Sequence, residues 1–313
     1  MTASRVLTYR RTVLDLVDEQ VDNRLLPEST WRQRAAQHAG RADQWTIPHL
    51  ERRHRGEKHP VMDFLFEYYP YSPGRLRTWH PGLGVELLGN WAPASCSSGY
   101  VRGVHGFRID PLTADAGRLF LTLRILEGTM SRPAQHSCFG MHEWAMVYQA
   151  APADFRHAHL PLRLTMERID AAVHEVGLRC THIDAFRFFT EAAAPLNAVE
   201  PTRANQPQLE QPGCIHANMD LFKYAMWFQP HVPGELVLDC FELAVHAREV
   251  DMRASPYDVS AFGYAPIAIE TPEGRQEYAR EQRLIAERAQ VLRAALVSEL
   301  RAISAAATPV PSA

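Results

Sequence analysis

Apolar residues at helical spacing recur along this chain, and no other feature constrains its fold as strongly. In "RTVLDLVDEQVDNRLL" the residues Val13, Leu14, Leu16, Val17 and Val21 fall on one stripe of an α-helix. The pattern continues in "ESTWRQRAAQHAGRADQW" and returns in "DAGRLFLTLRILEG", "GMHEWAMVYQA", "ANMDLFKYAMWF" and "GELVLDCFELAVHAREVDMR". The longest such segment opens at "TPEG", where Thr271 suits the cap and Pro272 the first helical position, and it runs to about Ile303. A stripe of this kind is stable only when another element covers it, so the chain reads as mainly α. Residues 1–305 read as a single large helical domain with long loops, and 306–313 as a disordered tail. No internal repeat and no sustained heptad is found.

The breaks between stripes define the loops. "HPVMDFLFEYYPYSPGRLRTWHPGLG" is an apolar and aromatic run closed by Pro70, Pro73 and Pro81, which predicts a short helix and then a compact loop. Residues 90–109, rich in Gly, Ser and Pro, read as loop or a few short strands. "VEPTRANQPQLEQPGCIHANMD" holds three prolines and little apolar character. Its length fits an inter-domain linker or a loop over a site, and the loop is the preferred reading.

Composition narrows the setting. No stretch approaches the roughly 18 to 20 apolar residues that span a bilayer, and the start lacks a signal-peptide core, so no membrane partner and a cytoplasmic location are expected. The five cysteines Cys96, Cys138, Cys180, Cys214 and Cys240 are too scattered for a disulfide framework and read as reduced thiols. With 33 basic against 36 acidic residues, the chain lacks the basic excess of a dedicated duplex binder. Any contact with DNA must therefore rest on a local patch, and "ERRHRGEKH", with Arg52, Arg53, Arg55 and Lys58, is the dense one.

Three cysteines have a histidine two residues away: His136 with Cys138, Cys180 with His182, and Cys214 with His216. Random placement would give about half a case. In extended segments such pairs face one side, so Cys138, His142, His182, Cys214 and His216 are candidate ligands for a metal ion; buried thiols beside hydrogen-bonded histidines are the alternative. Asp239, Glu242, His246 and Glu249 share one face of a predicted helix, as either a metal-holding row or a solvated charged face.

Two further stretches place charge among apolar residues. In "CFGMHEWAMVY" His142 and Glu143 diverge by about 100° on a helix, so each needs its own partner if buried. In "CTHIDAFRFF" His182 and Asp184 stand beside Phe186, Phe188 and Phe189, with Arg187 as a candidate counter-charge. Groups forced together in this way acquire shifted pKa values and can serve as general acids and bases. Asp184, Glu143, His182 and His142 are the catalytic candidates. His216 and Asp220, in "CIHANMD", are candidate binding residues beneath the proline-rich loop.

The phrases "RRHRGEKHPVMDFLFEYYPYSPGRLRTWHPG", "CFGMHEWAMVY", "THIDAFRFFTEAAAPLN", "EQPGCIHANMDLFKYA" and "VDMRASPYDV…IETPEGRQEY" together resemble a family of actinobacterial proteins commonly labelled 3-methyladenine DNA glycosylase. The resemblance covers nearly the whole chain, from about residue 28 to 300. It implies hydrolytic release of alkylated purine bases from duplex DNA. That chemistry asks for aromatic faces to stack the extruded base and a carboxylate to offset the sugar cation. Tyr68, Tyr69, Trp79, Trp144 and Phe186 are the candidates for the first, Asp184 or Glu143 for the second, and Arg52 and Arg53 for the phosphates. The other reading is a small-molecule enzyme, metal-dependent through the Cys/His/Asp residues of a buried polar and aromatic cleft.

Overall fold

The computed structural model describes residues 25–89 and 99–307. The stripe at Val13 to Val21, Cys96 and residues 308–313 lie outside the described residues. Helix accounts for 58% and strand for 6%, so the mainly α expectation holds.

The chain enters through β1 (Leu25–Leu26) and then α1 (Glu28–His54), two short helices α2 (Phe64–Tyr68) and α3 (Pro73–Arg77), and β2 (Glu86–Leu88). A hairpin of β3 (Tyr100–Arg102) and β4 (Gly106–Ile109) leads into α4 (Ala116–Met130) and the five-residue α5 (Met141–Ala145). Then come α6 (Met166–Val176), α7 (Ile183–Phe186), α8 (Gln206–Leu209), α9 (Ile215–Trp227), α10 (Gly234–Ala254) and α11 (Pro272–Ala307). The strands form one sheet in the order β1-β2-β4-β3, in which β1 runs parallel to β2 and the other pairs are antiparallel. Gly106 is required there, because a Cβ at this position would lie 1.8 Å from the Leu87 carbonyl oxygen.

Helix α10 is the centre of the core. Val237, Leu238, Cys240, Phe241, Leu243, Ala244, Ala247, Val250 and Met252 are all buried, so it is apolar on nearly every side rather than striped. Helices α9 and α11 pack on it and on one another, and α4 covers α11. In α11 the stripe Tyr278, Ile285, Ala289, Leu292, Leu296, Leu300 and Ile303 is buried, and Thr271 Oγ1 accepts from the Gly274 amide as the cap the sequence implies. The helix continues to Ala307, past Ile303 and into the start of the expected tail. Among the described residues no helix is long and apolar enough to cross a membrane.

Helix α1 carries the helical pattern of its first stretch on through Pro48 to His54. Proline removes only one hydrogen bond, and Trp45 on Phe241 and His49 on Asp63 anchor both sides of the break. In the compact loop after Pro70, Ser72 caps a second short helix, α3, by accepting from the Arg75 amide. The segment 199–214 is loop with one turn of helix, α8.

Candidate metal centre

Helix α5 is preceded by two left-handed residues, Phe139 (φ 46°) and Gly140 (φ 71°). They turn the chain sharply enough to bury Met141 through Tyr148. The neighbours His142 and Glu143 diverge, as the helical angle dictates, yet both reach α10, where Arg248 and Asp251 are spaced to receive them. Arg248 donates to Glu143 Oε1 at 2.8 Å and to Asp251 Oδ2 at 2.9 Å, and its guanidinium lies over Phe64 at 3.8 Å. The other Asp251 oxygen, Oδ1, lies 2.8 Å from His142 Nε2. The His216 ring, from the first turn of α9, stands edge-on to His142 at 4.4 Å. His142, His216 and Asp251 each offer a ligand atom within 4.8 Å of the others.

One turn further along α9 is a second set, His182, Glu210 and Asp220, equally close-grouped and fully buried. His182 Nε2 is 3.2 Å from Glu210 Oε1 and 3.3 Å from Asp220 Oδ2. The His182 and His216 rings lie 5.5 Å apart and join the two sets. Asp220 also accepts from the Tyr69 hydroxyl at 2.8 Å and from Lys223. Lys223 in turn stands 3.5 Å from Asp184, which accepts from Arg203 of the covering loop and faces Arg187 at 3.4 Å.

Several of these atoms have no hydrogen-bond partner among the described residues: His142 Nε2, Asp251 Oδ1 and both nitrogens of His182. His142 Nε2 and Asp251 Oδ1 nevertheless lie within ion-pair distance of each other, and His182 Nε2 within ion-pair distance of Glu210 and Asp220. Two ligands of one cation bound at about 2.0–2.2 Å stand about 2.8–3.5 Å apart. The close pairs in both sets fall in that range.

Electrostatics sort the histidines. Burial and the adjacent His142 hold His216 well below the ordinary imidazole value, so it is a neutral donor. Burial opposes charge on His182 as well, but the Glu210 and Asp220 carboxylates outweigh it and lift the pKa to about 9. Asp251 is carried below the carboxylate range, its burial overcome by His142. Asp184 is also lowered, with Arg203 and Lys223 offsetting burial.

The predicted residues divide accordingly. His142, His182, His216 and Asp220 meet at the centre, with Asp184, Tyr69 and half-buried Tyr68 alongside; Glu143 holds Arg248. The cysteines are corrected. Cys138 and Cys214 belong to neither ligand set; with Cys180 they line a cavity of about 20 Å³ against His142, His216 and Phe189. Burial raises all three thiols, Cys180 to about 12, so they stay protonated. The expected aromatic pocket is not formed. Trp144 is buried in the core, donating to the Ala254 carbonyl oxygen, and Trp79 packs with Leu26, Trp31 and Leu87 beside the sheet. Phe186 packs on Phe189. The basic patch is half-neutralised, since Arg52 is held by Asp63 and Arg55 by Glu57, while Arg53 and Lys58 remain exposed. The row on α10 is a paired inter-helix face: Asp239 and Glu242 bind Arg41 of α1, His246 faces Glu281 and Glu249 faces Arg253.

Sequence reasoning missed Glu210, Lys223, Arg203, Arg248 and Asp251. A signal existed for the last two, since charges outside the polar face of a helix that is apolar on nearly every other side are buried and therefore paired. Glu210 sits in a loop with no periodicity to mark it. Comparisons with protein-family models, with curated proteins and with solved structures find no match to this chain.

Proposed function

We propose that this protein is a metal-dependent enzyme acting on a small molecule, with its cation held by His142, His216 and Asp251. One observation carries the reading: His142 Nε2 and Asp251 Oδ1 are 2.8 Å apart and deeply buried, the separation that two ligands of one cation would have, and His216 offers a third donor within 4.8 Å. Two imidazoles and a carboxylate suit zinc or a divalent iron and leave coordination positions open. The bound cation would polarise a substrate oxygen or acidify a water.

The surrounding residues support the same role. Arg248 occupies one Asp251 oxygen and so orients the other toward His142. His216, kept neutral by its setting, has its lone pair ready without a proton to lose. The adjoining cavity, about 20 Å³, matches roughly one water.

Metal analysis of the purified protein tests this. Zinc or iron at close to one equivalent per chain, falling at least about tenfold in Asp251→Asn with the fold retained, is the expected result. Less than about a tenth of an equivalent in wild type after growth with added metal would sink the proposal. Release of free base from methylated duplex DNA that persists in chelator would replace it with base excision.

A further inference from the structure

We infer that His182, Glu210 and Asp220 form a second divalent-cation site, beside which Lys223 is a competing internal cation. The inference rests on the metal reading and assigns a second ion to the same centre.

A carboxylate pair alone would not carry this. The independent observation is His182, 1% exposed, whose Nδ1 has no hydrogen-bond partner among the described residues and whose Nε2 lies 3.2 and 3.3 Å from the two carboxylates. The three donors come from separate segments, the start of α7, the end of the covering loop and the middle of α9. The two carboxylates are fixed independently. Glu210 is held by Gln206 Nε2 at 2.6 Å and Asp220 by the Tyr69 hydroxyl. One imidazole with two carboxylates is a donor set for manganese, iron or zinc, harder than the first set.

Charge explains why a lysine lies here. Glu210 and Asp220 bring two negative charges into an apolar interior, a cost that a divalent ion or protein cations must offset. Lys223 pairs with Asp220 and stands 3.5 Å from Asp184. When a cation binds the set, Lys223 shifts its weight to Asp184. Asp184 now pairs with Arg203 of the covering loop, so Lys223 competes with that latch. Occupancy of the second site is thereby coupled to release of the loop over the centre.

Calorimetric titration of chelator-treated protein with zinc chloride decides the matter, with manganese as the second probe. Two equivalents are expected for wild type. Glu210→Gln should bind one, with the affinity of the remaining site changed by less than about threefold, and Asp251→Asn should remove the other. Lys223→Met, lacking the competing cation, should bind its second ion about tenfold more tightly. A single equivalent in wild type, lost in Asp251→Asn and kept in Glu210→Gln, overturns this inference and leaves the proposed function standing. No binding at all overturns both. If Glu210→Gln does not fold, a Lys223→Met affinity equal to wild type overturns the inference. Protease cleavage within residues 199–209 is the readout that a purely structural ion pair would not move: it should rise with the second equivalent and not with the first.

Discussion

His216 and Asp220 stand four residues apart on one face of α9, and each belongs to a different ligand set. A single rigid element therefore fixes the spacing of the two halves of the centre. That element is itself pinned. Asn218, between them, donates to the Pro212 carbonyl oxygen and accepts from Arg293 of α11. A helix seated on the core can position donors more closely than a loop can.

Asp184 was the foremost catalytic candidate in the sequence, and its surroundings assign it to holding the cover. Asp184→Asn should lower unfolding free energy by about 1–3 kcal/mol, because Arg203 and Lys223 lose a charged partner while remaining partly solvated. The metal content of the His142 set should be unchanged. Urea denaturation and metal analysis check the two halves; unchanged stability with lost activity would restore a catalytic role.

The clamp between α1 and α10 is the second test. Arg41 holds Asp239 and Glu242, and Asp239 is almost fully buried. Arg41→Met should cost about 1–3 kcal/mol, mainly by stranding Asp239. In an Asp239→Asn background the same substitution should cost less. A double-mutant cycle measures the difference, and strict additivity would mean the two side chains are not coupled.

Glu299 gives a pH prediction remote from the centre. Burial lifts its carboxyl from 4.5 to about 7, so the folded protein binds a proton that the unfolded chain has released. Stability contributed by the protonated form is full below about pH 4.5 and declines as pH rises toward 7. Glu299→Gln cannot lose that proton. Its melting temperature should match wild type near pH 4.5 and exceed it above pH 7.5, as thermal scans across that range would show.

The helices were legible because their cause is local. The stripe of α11, the Thr271 cap and the run of α10 are all present in contiguous residues, and each formed close to where its spacing placed it. Helix α1 passes through Pro48, a breaker by local rule, where Trp45 packs on Phe241 and His49 pairs with Asp63. The covering loop could be identified by its prolines, but its part in the centre could not.

Half of the centre was visible as residue types. His142, His182, His216 and Asp220 stand out because polar groups in apolar stretches need partners, and that requirement is written in the sequence. The partners are not. Asp251 lies more than a hundred residues from His142 and Glu210 nearly thirty from His182, so no periodicity links them. The cysteines drew attention by being two residues from histidines, and in the folded protein they form a wall rather than ligands. The sequence by itself determined that these charges must be buried and met, since helical spacing and desolvation act residue by residue. Only the tertiary structure decided which groups meet, because the pairing is set by how α9, α10 and the loop pack, and packing is a property of the whole chain.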